Sequence, residues 1–218
     1  MAKKVIVDND LFVILAGAGL FEDWLAACKI SFADVHILPP LQKMLCKRNG
    51  KLSRNHCQET LDAAQLIAER LTPLPMADND ALAVFNGIPG IDIGEQQIFA
   101  HLATRDFIFA GTNDKRSIRA LAAKSELSAM VGNKIICLEQ AICALIAHKG
   151  WAAVNAAVSA MFKREKLAGK NPDTSLQCIF SQYAPSEQNT REALNSGLRQ
   201  LLTGCSAVLH PGWRESAL

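Results

Sequence analysis

The sequence predicts an α/β fold, a central parallel sheet sandwiched between helices (α/β/α) and followed by a helical C-terminal extension. Two observations carry this. From residue 4 to residue 138, short bursts of apolar, β-branched residues alternate with longer stretches whose apolar residues recur at helical spacing, the pattern that successive βαβ units produce. After Glu139 the bursts stop and only helical periods continue. The chain has 218 residues, half of them apolar and one fifth charged. That is long enough for a substantial core and excludes global disorder. The expected division is an α/β domain over residues 1–139 and a helical extension, packed on it, over residues 140–218.

The elements follow in order. Residues 4–7 form an apolar burst that stops at Asp8 and predict a buried strand. A mostly apolar helical stretch over 11–28 places Phe21, Trp24 and Leu25 at helical spacing. Residues 35–38 predict a second strand, closed by Pro39 and Pro40, and 41–45 begin a helix. The basic, Gly-containing CKRNGKLSRN predicts a loop. Residues 59–71 are amphipathic, with Leu61, Ala64, Ile67, Ala68 and Leu71 on one face. Residues 72–90, with three Pro and two Gly, predict an irregular excursion around ALAVF. A helix over 92–104 opens with D-x-G-E, and a compact strand over 107–110 ends at GTND. A basic helix over 115–124 and a strand over 134–138 complete the α/β part. Ala-rich helices over 140–149 and 151–166 are separated by Gly150, and KLAGKNPD predicts a loop. The last helix spans 190–202, with Asn189 and Glu192 as a capping box and Gly204 as its stop.

Net charge is +2, too small to announce a nucleic-acid protein by itself. Its placement is uneven. Residues 1–114 hold ten Lys and Arg against fourteen Asp and Glu, whereas residues 115–218 hold thirteen against seven. An acidic half joined to a basic half suits an acid-lined site beside a basic surface, and it equally suits two ordinary solvated surfaces. The seven Cys are odd in number, contain no C-x-x-C pair and sit partly in apolar runs, so buried reduced thiols of a cytoplasmic protein are expected. The five His show no metal-ligand spacing. An N-terminal signal peptide is not expected, because Asp8 and Asp10 interrupt the lysines and the apolar run, and that run is too short to span a membrane. Trp24, Trp151 and Trp213 are expected to pack, and Tyr183 is the single Tyr, so no base-stacking platform is expected.

Three acids fall where sheet sites form. Asp8 ends the first strand, Asp114 follows the strand over 107–110, and Glu95 lies in the first turn of the helix leading into it. In a parallel sheet, ligands bind outside the carboxyl ends of strands near the point where strand order reverses. Glu95 stands three before Ile98 and seven before Leu102, on their sheet-facing side. Carboxylates gathered in one cleft repel each other unless a cation joins them, and oxygen ligands suit Mg²⁺ or Mn²⁺. Such ions activate water for phosphodiester displacement. Each acid taken alone also fits a helix cap.

The series VIVDND, IDIGEQQIFAHLA and DFIFAGTNDKRSIRALA resembles the PIN-domain nucleases over most of residues 3–140. Those proteins share a first strand ending in Asp, a helix opening with Gly-Glu and a strand leading to Thr-x-Asp. The resemblance implies a PIN-like α/β/α sandwich that cleaves RNA, with Asp8, Glu95 and Asp114 as metal-binding, catalytic residues. It implies that Thr112 shapes the site and that Asp10 and Asn113 join around it. It also admits a protein inhibitor or a second copy as partner, and no membrane. The family places a further Glu on the helix after the second strand. Here that helix reads PPLQKMLCK, with Gln42 and Lys43 and no acid. A catalytically degenerate module that binds RNA or a protein therefore stays open, with Lys43 filling the gap. Asp8-Asn9-Asp10 also resembles the DxD pair of haloacid-dehalogenase-type phosphatases, which need a later Lys and paired acids. Lys115, Arg116 and Arg119 are the expected phosphate-holding residues, and Lys163, Arg164 and Lys166 are expected near the approach.

Overall fold

The computed structural model describes residues 3–47, 50–104, 107–171, 173–180 and 186–212. Trp213 and Tyr183 lie outside the described residues. Among these residues five strands, β1 (Lys4–Val7), β2 (Val35–Ile37), β3 (Thr72–Pro73), β4 (Phe107–Thr112) and β5 (Ile135–Cys137), form one sheet in the order β3-β2-β1-β4-β5, every pair parallel. Val5, Ile6 and Val7 of β1 are fully buried, so both faces of the central strand are covered, as parallel sheets require. Pro73 can stand in β3 because that strand is an edge.

Helices make every crossover. α1 (Asn9–Gly17) and α2 (Phe21–Cys28) join β1 to β2. α3 (Pro40–Leu45), α4 (Lys51–Asn55) and α5 (Gln58–Ala68) lead to β3. α6 (Asn79–Phe85) and α7 (Ile93–Thr104) cross to β4, and α8 (Lys115–Ala122) with α9 (Ser125–Val131) reach β5. The C-terminal part is helical: α10 (Leu138–Lys149), α11 (Trp151–Leu167), α12 (Thr174–Ile179) and α13 (Glu187–Cys205). α1, α2, α5, α10 and α11 pack among themselves, whereas α6, α7 and α9 form a separate group, with α7 lying on β4. The architecture is α/β with helices flanking an all-parallel sheet, compatible with an α/β/α sandwich.

Several elements differ from expectation. The stretch 11–28 is two helices bent by 110°, because Gly19 takes φ +69° between them. The loop expected after α3 contains α4, and the excursion over 72–90 contains β3 and α6. Asp78 caps α6 by accepting from the Asp80 amide. α9 and α12 are short helices not anticipated from pattern. α13 starts earlier and ends later than expected. Ser186 caps it through the Asn189 amide, so Asn189 lies inside the helix. Gly204 is helical, and Gly197 serves close packing: a Cβ there would lie 3.1 Å from Glu139 Oε1. Among the described residues no single helix is long and apolar enough to cross a membrane.

The extension is built into the same core as the sheet. One buried apolar cluster runs from Val5 to Leu209. Leu209 bridges Ile135 in parallel, with the Ile135 amide donating to Val208 and the His210 amide to Ile135. Gln140 Nε2 donates to the carbonyls of His210 and Gly212. This segment covers the β5 edge, which would otherwise present unpaired backbone groups. Trp151 packs with its Nε1 donating to Thr190 Oγ1 at 3.0 Å.

Glu165 of α11 ties the extension to α5. It is 1% exposed; its Oε2 accepts from the Cys57 amide at 2.7 Å and its Oε1 faces His56 Nδ1 at 3.2 Å. Burial alone would raise this carboxyl, but bonds from His56, Thr60 and Cys57 hold it below its ordinary value. A depressed acid stabilises the fold above its unfolded value, and that contribution is lost as pH falls through the folded value. Glu165→Ala is expected to cost about 1–3 kcal/mol at pH 7, by leaving the Cys57 amide unpaired, and less at pH 4. Urea denaturation at the two pH values measures this.

Candidate active site

The strand order opens the site. β2 and β3 lie to one side of β1, β4 and β5 to the other. Chain leaving β1 toward β2 and chain leaving β4 toward β5 therefore diverge, and a crevice forms beyond the carboxyl ends of these neighbours. The Asp8 amide donates to the Gly111 carbonyl at 2.9 Å, which locks the two strand ends together. Gly111 lets this approach stay close: a Cβ would stand 2.7 Å from Leu11 Cδ2 and 3.3 Å from Trp24 Cη2, so Leu11 would have to shift.

Thr112 links two acids. The Asp114 amide donates to Thr112 Oγ1 at 3.1 Å, and that hydroxyl donates to Asp8 Oδ2 at 3.4 Å. Asp8 occupies the N-cap position of α1 but makes no side-chain cap bond. Asp114 does cap α8: its Oδ1 accepts from the Arg116 and Ser117 amides. Arg116 also donates from Nε to Oδ1 and from Nη2 to Oδ2.

Asp92 and Glu95 form a reciprocal capping box on α7. Asp92 Oδ1 accepts from the Gly94 and Glu95 amides, and Glu95 Oε2 accepts from the Asp92 amide at 2.7 Å. This brings Asp92, which the sequence reading had not placed in the site, beside Glu95. The signal was present in D-x-G-E: an Asp three before a first-turn Glu is a cap, and a cap shares the helix end with the residue it pairs.

Asp8, Asp10, Asp92, Glu95 and Asp114 all line one cavity of about 450 Å³. Lys51 and Arg116 line it too, and Leu38, Pro40 and Met44 supply an apolar wall. Burial, then the charges of Asp10 and Asp92, push Asp8 up to about 7. Burial, then the Asp92 carboxyl and the charge of Asp8, push Glu95 up to about 8. Asp92 is held down by its bond with Glu95. Burial would raise Asp114, but the Arg116 and Ser117 bonds hold it below its ordinary value. Two acids thus keep protons near neutrality, because each is buried among like charges.

Of the expected phosphate-holding residues, only Arg116 lines the cavity. Lys115 pairs with the buried Glu139 instead. Arg119 is exposed elsewhere on α8 and lies near Cys205. Arg164 donates to the Gly17 carbonyl at the far end of α1, and neither Lys163 nor Lys166 lines the cavity. Asn113 turns toward Asp173 at 3.3 Å and is not part of the lining. Lys43 is exposed and does not fill the gap, and Gln42 bonds the Ala68 carbonyl. The α3 side chains that face the cavity are Pro40 and Met44, and the lysine that reaches it is Lys51 of α4. The sequence offered Lys51 only as part of a presumed loop.

The cavity's acids suit a hard divalent ion in kind, since they offer carboxylate oxygens. In placement they do not yet fit: among the described residues no three Asp, Glu, His or Cys side chains stand close enough to hold one ion. Both Asp114 oxygens and one Glu95 oxygen are engaged within the protein. Searches against protein-family models, curated proteins and solved structures each give no match. The arrangement itself defines the class: a parallel α/β protein with an acid-lined cleft at its switch point.

Proposed function

We propose that this chain is a PIN-like ribonuclease of the cytoplasm, with Asp8, Glu95 and Asp114 as the acids that would hold Mg²⁺ or Mn²⁺. One observation supports it above the others: five acids from three separate segments of chain line a single cavity at the switch point of a parallel sheet. These are also the segments that resemble the family's motifs. An ion held by these acids would supply an activated water and would neutralise charge developing on the scissile phosphate. The chain's own groups do the positioning. Thr112 fixes Asp8 relative to the Asp114 backbone. Lys51 and Arg116 stand at the same cavity to meet phosphate oxygens, and the Leu38–Met44 side excludes water from one wall.

The test is cleavage of a labelled single-stranded RNA with Mn²⁺ present. Cleavage abolished by a chelator, and reduced about a hundredfold or more by Asp8→Asn, is expected, since losing a direct ligand should exceed the loss of an outer partner. A second reading, a binding module without catalysis, is favoured by the α3 side that lines the cavity, where Pro40 and Met44 stand and no acid does. RNA retention on filters without any cleavage would select it.

A further inference from the structure

Gln97 lines the cavity from α7 and is 8% exposed. Its Oε1 accepts from the Ala77 amide at 2.9 Å. A backbone N–H can only donate, so this bond settles which way the side-chain amide is turned. The other end, Nε2, carries two N–H groups and has no partner among the described residues. Asn9 lines the same cavity with the opposite deficiency. Its Oδ1 is buried with no partner, and its Nδ2 reaches only Met44 Sδ at 3.9 Å. A buried donor and a buried acceptor left open at one cavity are costly unless a ligand completes them.

One side of the same cavity is apolar. Leu38, Pro40, Met44 and Leu52 form its wall, and Met76 and Ile93 line it while standing 70% and 78% exposed. Its volume of about 450 Å³ falls in the range of small-molecule sites. An open neutral donor, an open neutral acceptor and an aliphatic wall together suit a flat, neutral heterocycle, which has an edge to bond and a face to cover.

We propose that the cavity is a pocket for one unstacked nucleobase bearing an exocyclic amino group. Gln97 donates to an acceptor on the base edge, and Asn9 and the cavity carboxylates take the amino group. Adenine, cytosine and guanine each offer an amino donor and an acceptor, whereas uracil turns carbonyl oxygens toward carboxylates that repel them. That the base comes from an RNA strand rests on the nuclease reading. Lys51 and Arg116, at the same cavity, then meet the strand's phosphates.

The experiment is calorimetric titration with a chelator present, so that no metal enters. Adenosine, cytidine and uridine, and single-stranded hexamers of A, C and U, are added to the unaltered chain, Gln97→Glu and Gln200→Glu. Gln97→Glu keeps an oxygen for the Ala77 amide and removes the open N–H groups. Gln200 is exposed on α13 outside the cavity lining and controls for an added negative charge. Adenosine and cytidine are expected to bind the unaltered chain at least about fivefold more tightly than uridine, the low end of what one base-edge contact is worth. Gln97→Glu should weaken both by about threefold to tenfold, and Gln200→Glu should match the unaltered chain. The same preference among hexamers, at higher affinity, assigns the base to an RNA strand. Absence of any binding, no preference against uridine in the unaltered chain, or unchanged adenosine binding by Gln97→Glu overturns the pocket; the first two need no variant to fold. Hexamers that bind without base preference overturn the pocket and leave the nuclease reading standing. Nucleosides that bind where hexamers do not keep the pocket and remove the nuclease reading instead.

Discussion

Asp8→Asn is expected to raise the thermal midpoint at pH 8 and to leave it nearly unchanged at pH 4. Asp8 is 8% exposed and stands among other acids. Burial, with the charges of Asp10 and Asp92, moves its carboxyl from 3.8 to about 7 in the folded protein. The sign follows from linkage. Below the unfolded value the acid is protonated in both states, and its contribution is fully present. As pH rises toward 7 the unfolded chain gives up the proton before the folded one, so stability is lost across that window. A shift of this size is worth at most roughly 4 kcal/mol. Asn carries no proton to lose and escapes the penalty. The midpoint should rise by about 2–4 °C for each kcal/mol recovered in a chain of this length. Glu95, raised to about 8, keeps a residual slope in the variant. Melts at pH 4, 6 and 8 measure the effect. A uniform shift at all three pH values would show that the buried charge is not what limits stability.

Trp24→Ala is expected to cost about 3–5 kcal/mol, the range for a buried Trp truncated in a core. Trp24 is fully buried; its ring centroid lies 6.0 Å from those of Phe21 and Phe109. Its edge also packs over Gly111, whose carbonyl accepts the Asp8 amide. The cavity left by Ala would therefore open directly beneath the joined ends of β1 and β4. Trp24→Phe should cost much less than Trp24→Ala. The indole Nε1 is buried with no hydrogen-bond partner, so Phe removes an unpaired donor while keeping most of the packing. Denaturant midpoints of the two variants, with unchanged slopes, test the ranking. Equal losses would mean that ring volume is not the governing quantity at this position.

The sequence determined where acids end strands and open helices. That information is local: a β-branched burst ending at Asp8, a Thr-x-Asp after the next central burst, and a Glu on the buried side of an apolar period. It also determined the parallel class, because strands that alternate with helices have few other ways to pair. Short helices escaped it. α4, α9 and α12 are too brief to show a period, and their formation is decided by what they pack against.

Tertiary structure alone decided the rest. Lys115 and Arg116 are sequence neighbours on one helical turn, yet one turns to Glu139 and the other to the cleft, since adjacent helical residues point about 100° apart. Which face each met depended on where α10 came to lie, some twenty residues further on. Lys51 reached the site only because α4 folds against α3 and α5. Asp92 gained its place through a cap whose second partner was already in view. Charge, spacing and periodicity fix which residues carry chemistry and which face of an element they occupy. Which of those faces meet at one cavity is set by long-range packing, and no local pattern encodes it.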